Sequence, residues 1–481
     1  MRSFSLIYSL AFFLLLLPIP GHAGEQHDAS DRQQPFLCGT SHVNDWSGAI
    51  AAQIETLNFP FIESRDLQPL MAPGKEVLRK LYRQVKFQPL WLDNPEKARM
   101  LVSALKACIR HGLNPDEYFL PELQALSRQN DPRSLARLDV LLTSALLRYG
   151  FDLSYGHIAL FRANMETFKE IRDFDFSPLT LVKTIYESDD FDKAFDSLAP
   201  QHKFYRDLQK RYISALSQDR KQSALAGKIA VNMARWRWYP HKLGQRFVIV
   251  NTPEHRLTAW RGDQQVLDMA VITGKKDDPT PLTTGYLRWL EFHPSWVIPP
   301  SIAAKEQLPK LRKNPNHLAE KKVRLFSSWE PDAKELDPKR INWHQVTPEQ
   351  MTKYQLRQDA GPMNALGRIK FIFPNPWSIY LHDTPGKALF KEQTRDLSHG
   401  CVRVADPTSL ALFLLNGQDA DSTRTKIQAR LNGDTPYTMA VKRPPPLYLT
   451  YQTTWIDEKG ELRQASDLYG QDARILALMK K

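Results

Sequence analysis

Cysteine is scarce in this chain, and long apolar runs are nearly missing. Its 481 residues contain three cysteines, Cys38, Cys108 and Cys401, an odd number, so at least one thiol stays free or pairs between chains. One apolar run, Leu6 to Leu17, stands near the N-terminus. It is shorter than the roughly 20 residues a helix needs to cross a bilayer, and no later run is long enough to span one. Internal repeats and low-complexity tracts are also missing, leaving an ordinary globular composition with 42% hydrophobic and 25% charged residues.

Arg2, the run Leu6–Leu17 and the small-residue exit Gly21-His22-Ala23 form the pattern of a secretory signal peptide over 1–23, with cleavage expected after Ala23. An uncleaved membrane anchor is the alternative. The mature chain is then expected to be soluble and outside the cytoplasm. The net charge of +12 favours an anionic partner. A secreted chain seldom meets nucleic acid, so an acidic wall polymer or an anionic membrane face fits better. A solvated basic surface with no such partner explains the charge equally well.

Residues 24–50 are polar and without periodicity, and read as a flexible leader. From 51 to 225 the pattern is helical. EVLRKLYRQV, PEKARMLVSALKACIRHG and PRSLARLDVLLTSALLRYGFDL repeat apolar residues at about 3.6. Leu101, Leu105 and Cys108 share one helix face, which makes Cys108 a buried structural thiol; Gly112 and Asn114-Pro115 end that helix. Nothing in this half gathers a nucleophile, a base and an acid. Trp236, Trp238 and Tyr239 follow; they could stack on sugars, but packing between domains is the stronger reading. From 226 to 470 short strands dominate: RFVIVNT, HRLTAWRGDQQVLDMAVITG, YLRWLEFHPSW, RIKFIF, WSIYLHD and PLYLTYQTTWID. Asp406-Pro407 opens a helix, PTSLALFLL. An interruption at 299–362 is too long for a loop. It begins with the helix SIAAKEQL, shows little strand character, and reads as a capping subdomain. Residues 471–481 form a C-terminal tail helix. The fold class is α+β, a helical domain followed by a β-rich one.

The chemistry concentrates in HDTPGKALFKEQTRDLSHGC, His382 to Cys401. His382 ends a strand, and the following loop returns the chain to Ser398-His399-Gly400-Cys401. A neighbouring imidazole can take a thiol proton, and the thiolate is the nucleophilic form. The N–H groups of Gly400 and Cys401 are candidate donors to an oxyanion. That set specifies acyl transfer through a thioester. Zinc held by His382, Asp383, His399 and Cys401 is a rival, although these four lack the ligand spacings of familiar structural sites. An inert polar loop is the other.

H-D-T-P followed by Ser-His-Gly-Cys-Val-Arg resembles the signature of the L,D-transpeptidase (YkuD-type) catalytic domain. ARWRWYP, FHPSWVIPPSIAAKEQLPKLRKNP, GPMNALGRIKFIFPNPWSIYLHDTP and LYLTYQTTW are similar to the YcbB-like periplasmic branch. The resemblance implies a helical scaffold domain and a β-rich catalytic domain carrying an inserted cap. It implies Cys401 as nucleophile and His382 as base, with His399 and Gly400 at the oxyanion pocket and the Asp383 carbonyl orienting the base. Arg403, Tyr380 and Ser398 would line the substrate groove. The expected reaction joins a tetrapeptide donor stem to a diamino-acid acceptor stem of peptidoglycan as a 3–3 cross-link, with no cofactor or metal. Carbapenem-class β-lactams are expected inhibitors, and other wall-synthesis proteins expected partners. The same cysteine would also serve an L,D-carboxypeptidase or a protein-to-wall anchoring enzyme, and a non-catalytic wall-binding scaffold is the non-enzymatic rival. One feature departs from the branch: the segment before 226 is too short for the small helical peptidoglycan-binding module common there.

Overall fold

The structure, a computed structural model, describes residues 46–57, 75–156, 177–216, 220–415 and 420–479. The signal-peptide segment, most of the expected leader and Cys38 lie outside these residues. The leader reading ends too late: Trp46–Thr56 is already helix, and Ile50 and Ile54, four apart, bury one face of it completely.

The helical half is built round Pro132–Tyr155, a helix capped by Asp131, which accepts from the Ser134 N–H. Most of this helix is buried all round, because Trp46–Thr56, Pro95–Ala107 and Pro178–Tyr186 pack on it from several sides. Asn94 caps Pro95–Ala107, and Gly112, at φ +69°, turns the chain out of the short 3₁₀ turn Cys108–His111. Cys108 is fully buried with a free thiol. Helices Lys203–Leu216 and Arg220–Trp236 then lead into the second half with no further module between them among the described residues.

The strands of the second half run in chain order as β1 Arg246–Asn251, β2 Arg256–Arg261, β3 Gln264–Gly274, β4 Thr283–Tyr286, β5 Trp289–Phe292 and β6 Trp296–Ile298. They continue as β7 Val323–Phe326, β8 Glu335–Leu336, β9 Gln355–Gln358, β10 Ile369–Ile372, β11 Leu381–His382 and β12 Asp396–Ser398. The last are β13 Val402–Val404, β14 Tyr437–Ala440, β15 Pro446–Thr450, β16 Thr454–Ile456 and β17 Leu462–Gln464. Among the described residues one long sheet has the order β14-β5-β10-β11-β13-β3-β2-β1-β15-β4, with β12 beside β3. Alternation along each strand gives this sheet two faces. Val248, Val250, Leu257, Val271, Phe371, Leu381, Val402 and Val404 point to one of them, where helices Pro407–Leu415 and Ala420–Asn432 cover an apolar core. Phe247, Ile249, Trp260 and Tyr448 point the other way and join the core of the helical half. Trp236, Trp238 and Tyr239 are buried in that junction, at 1–3% exposure; each buried aromatic there is worth about 2–3 kcal/mol, which suits a packed hinge rather than an open sugar platform.

The cap departs from expectation. Besides the helical turn Pro300–Ile302 and its continuation to Lys313, it contains a sheet in the order β6-β9-β7-β8 and a core of its own around Leu311, Trp343 and Leu356. Its strands are short and partly polar, QLRQ and EL among them, so their pairing comes from packing on the cap core and not from local pattern.

Candidate active site

Strands β11 and β13 are parallel, pairing Leu381 with Val402 and His382 with Arg403. Leu381 and Val402 are buried in the core, so alternation sends His382 and Arg403 to the opposite face, with Tyr380 and Cys401 one step along. Nineteen positions of sequence thus collapse into adjacent strand positions. The expected strand WSIYLHD is shorter than its pattern: only Leu381–His382 pairs, because Asn375 takes up the Ile379 backbone through both its N–H and its carbonyl.

The same face continues across the sheet. Lys370 pairs with His382, and Glu291 with Lys370. The Lys370 Nζ lies 3.4 Å from Glu291 and 4.5 Å from the centre of the Tyr380 ring. Tyr380 and His382 meet edge to face at 5.7 Å. Cys401 and Trp296, the latter on the strand that leads into the cap, both act on the Tyr380 hydroxyl, whose pKa burial raises.

His382 is buried, and its Nδ1 sits 2.5 Å from the Asp383 carbonyl oxygen. A carbonyl only accepts, so Nδ1 carries the proton and Nε2 is the basic nitrogen. Burial, aided by the Arg403 cation, pulls the imidazole down to about 3. The Cys401 thiol is pushed up by burial, opposed by the Tyr380 amide and the Lys370 and Arg403 cations. The resting pair is therefore a neutral thiol and a neutral imidazole, with cations placed to stabilise a thiolate once it forms. The Asp383 carboxylate has another task. It accepts from the Arg368 N–H at 2.9 Å and from Lys387 at 2.6 Å. That fixes the loop whose carbonyl holds the base.

Two expectations about the Ser-His-Gly-Cys turn need correction. Ser398 is 2% exposed and does not line a groove. Its hydroxyl donates to the Cys401 carbonyl at 2.5 Å and accepts from the Gly400 N–H at 3.2 Å, closing the turn on itself. The Gly400 N–H is thereby occupied, which leaves the Cys401 N–H as the backbone donor for an oxyanion. Gly400 is needed for its φ of +102° instead. Its carbonyl accepts from the Thr280 hydroxyl at 2.9 Å, and Tyr469 braces Thr280 and Gly274 from the C-terminal segment.

His399 is half-buried, with Nε2 2.5 Å from Glu306 and 3.3 Å from the Lys275 ammonium. Glu306 belongs to the π-helical turn Ala303–Gln307 of the cap and also acts on the Arg403 guanidinium. One cap carboxylate therefore sits among three basic groups of the catalytic face. Among the described residues, no group of three or more His, Cys, Asp or Glu side chains is placed to hold a metal ion.

Sequence reading missed Lys370, Trp296 and Glu306. Lys370 was within reach, since in RIKFIF it is the polar position between inward Ile369 and Phe371. Trp296 and Glu306 arrive through the folding of the cap, for which no local signal exists.

Residues 245–427 match the L,D-transpeptidase catalytic domain family, YkuD, and residues 76–211 match the Scaffold domain family. The first interval contains all the site residues described above except Tyr469. A Haemophilus influenzae protein named "Putative L,D-transpeptidase" is 29% identical over 405 residues, covering 83% of this chain and 79% of its own length. Among solved structures, an L,D-transpeptidase from Mycobacterium smegmatis aligns over 43% of this chain and 58% of its own, at 12% identity and a TM-score of 0.21. The carbamoyl enzyme of Ldtfm with avibactam aligns over 48% and 61%, at 11% identity and a TM-score of 0.20.

Proposed function

We propose that this chain, whose residues 245–427 match the YkuD-type L,D-transpeptidase catalytic domain and whose residues 76–211 match a scaffold domain, forms 3–3 cross-links between peptidoglycan stems through a thioester on Cys401. The observation that carries the reading is the His382 ring, whose Nδ1–H is held by the Asp383 carbonyl while Nε2 stays basic on the strand beside Cys401.

As Cys401 Sγ attacks the carbonyl between the third residue and the terminal D-Ala, its proton passes to His382 Nε2. Proton transfer during attack removes the need for a standing thiolate. The Cys401 N–H faces the developing oxyanion, and Arg403 and Lys370 stabilise the negative charge. The C–N bond breaks, D-Ala leaves with the proton from His382, and a thioester remains. The side-chain amine of an acceptor stem then attacks the thioester and gives its proton to His382, and the thiol is restored as the new amide forms. The cap reaches the site through Trp296 and Glu306, which favours the amine over water. Signal-directed export would place the reaction in the periplasm, and carbapenems would acylate the same thiol.

The test is incubation of the mature protein with disaccharide-tetrapeptide, read by mass spectrometry beside Cys401→Ala. A dimer lighter by one D-Ala than two monomers, lost in the variant, is the expected product. D-Ala release without dimer would replace the transpeptidase with a carboxypeptidase, and activity surviving in Cys401→Ala would remove the nucleophile assignment.

A further inference from the structure

The Ser-His-Gly-Cys turn is held from outside as well as from within. Ser398 takes up the Gly400 N–H and the Cys401 carbonyl. The Gly400 carbonyl is taken by Thr280, whose hydroxyl donates to it at 2.9 Å. Of the backbone groups of these two residues, the Cys401 N–H is the one left to meet a substrate. The Gly400 carbonyl and the Cys401 N–H belong to one peptide unit, planar and trans, so they point opposite ways and turn together. Whatever grips the carbonyl therefore also aims the N–H. That grip matters here, because Gly400 stands at φ +102° with no side chain to hinder rotation of the unit.

Thr280 is buried and is itself fixed. Its hydroxyl, while donating to Gly400, accepts from the Gly274 N–H at 2.8 Å, and its own N–H donates to the Tyr469 hydroxyl at 3.2 Å. Tyr469 in turn donates to the Gly274 carbonyl at 2.7 Å. Each hydroxyl thus gives one bond and accepts another, which sets the direction of both. Gly274 ends β3 beside Ser398 of β12. A Cβ there would collide with the backbone of Asp278 and Thr280, so glycine is what lets the loop lie against the strand. Tyr469 stacks on Tyr451 at 5.2 Å, and its N–H donates to the Tyr451 hydroxyl at 2.7 Å. The Tyr451 hydroxyl donates to Asp467, whose carboxylate also accepts from the Gln471 and Asp472 N–H groups at the start of helix Gln471–Leu478. Asp472 pairs with Arg235 at 2.7 Å, which ties this C-terminal segment to helix Arg220–Trp236.

We propose that Thr280 is a positioning residue for acyl transfer: by holding the Gly400 carbonyl it aims the Cys401 N–H at the developing oxyanion, and Tyr469 keeps Thr280 in place from the C-terminal segment. Neither side chain supplies a proton or a charge to the reacting atoms; both act through the orientation of one peptide unit. The proposal rests on the thioester reading above, since attack on a carbonyl is what creates the oxyanion. With the Gly400 carbonyl released, the unit is free to turn and bring a carbonyl oxygen where the oxyanion needs a donor. Alkylation of Cys401 by iodoacetamide makes a different demand. The Sγ–C bond forms at a saturated carbon, iodide leaves with the electrons of the C–I bond, and the thiol proton passes to His382. That reaction needs the thiol and the base but forms no oxyanion. Comparing the two reactions separates the aim of one N–H from the general order of the turn.

The experiment compares the full chain with Thr280→Val, Thr280→Ser and Tyr469→Phe. Single-turnover D-Ala release from disaccharide-tetrapeptide is measured per folded molecule, and iodoacetamide alkylation is read at the Cys401 peptide by mass spectrometry. In Thr280→Val the maximal release rate should fall about 30-fold or more, near the loss of one oxyanion donor. The half-saturating concentration and the alkylation rate should stay within about twofold of the parental values. Thr280→Ser keeps the hydroxyl and should recover most of the rate. Tyr469→Phe leaves the Thr280 hydroxyl in place and should lose about three- to tenfold, again without slowing alkylation. Thr280→Val strands the Gly274 N–H and the Gly400 carbonyl, which lowers its stability; if it does not fold, Tyr469→Phe carries the same comparison. Parental release in the variants would overturn the proposal. Release and alkylation slowed by the same factor, or Thr280→Ser no faster than Thr280→Val, would overturn it too, because Thr280 would then only hold the turn together. A parental chain that is alkylated at Cys401 yet releases no D-Ala and forms no thioester would instead overturn the thioester reading, and this proposal with it.

Discussion

Asp139 and His382 are both buried titratable side chains, one at the centre of the helical half and one on the catalytic sheet, and they differ in how their polar atoms are used. The Asp139 carboxylate accepts from the Tyr82 hydroxyl at 2.6 Å and from the backbone N–H groups of Leu90, Trp91 and Leu92 at 2.8–3.1 Å. The carboxylate gathers the three backbone donors of the loop before Pro95 onto helix Pro132–Tyr155 and so works as a staple between them. His382 has one ring nitrogen anchored and the other left for chemistry. Saturation marks a structural group, and a single unspent atom beside a nucleophile marks a reactive one.

The largest effects test this contrast directly. His382→Gln should slow D-Ala release by about 10³-fold or more, the size expected when a general base is removed, while moving the melting temperature little. Asp139→Ala should do the reverse. Three backbone donors lose their acceptor while Tyr82 keeps Thr143, costing about 3–4 kcal/mol of stability, yet the protein that stays folded should turn over at the parental rate. Denaturant unfolding and rate per folded molecule, measured on both variants, decide it. Turnover lost in Asp139→Ala at an unchanged melting temperature would break the distinction.

Acidity sharpens it next. His382 is held near 3, so its neutral form persists far below the range of an ordinary histidine. Acylation, followed as single-turnover D-Ala release, should stay nearly flat from pH 7 to about pH 5, whereas a base with its usual pKa would already be failing. Stability should move over the same range. His382 and His202 are held near 3, His255 near 4, and His111 is also lowered. Burial is the leading cause in each. The unfolded chain binds protons at all four near 6.5, so the folded state is fully favoured above that value and loses ground as pH falls toward 3–4. Melting temperatures between pH 7 and 5 should fall while the acylation rate holds.

How much of this was legible in the sequence follows the range of the interactions involved. Helix Pro132–Tyr155 and strands β1 to β3 emerge from periodicity and turn residues, because their pattern is local. His382 and Cys401 were readable from residue type and loop length together. The cap sheet was not, since its strands are short and polar and are made by pairing across tens of residues. The role of Ser398 was misread although its partners lie within three positions. A short polar residue in a tight turn can face outward or close the turn, and spacing does not say which.

The smallest expected effect concerns the seam between cap and site. The Glu306 carboxylate rests on His399 and near Arg403 and Lys275, where an anionic stem would also be drawn. Substrate carboxylates must therefore compete with it or displace it. The pair is only partly buried, at 29% and 36% side-chain exposure, so the contact is worth about 0.5–1 kcal/mol. Glu306→Gln keeps the shape and removes the charge. KM for the tetrapeptide should fall about two- to fivefold, the same factor in concentration terms, with kcat nearly unchanged because neither Cys401 nor His382 is touched. The drop should shrink in high salt, which already screens the contact. A rise in KM would mean that Glu306 holds the cap in its productive position, and the charge among those basic groups would then belong to the architecture of the site and not to its competition with substrate.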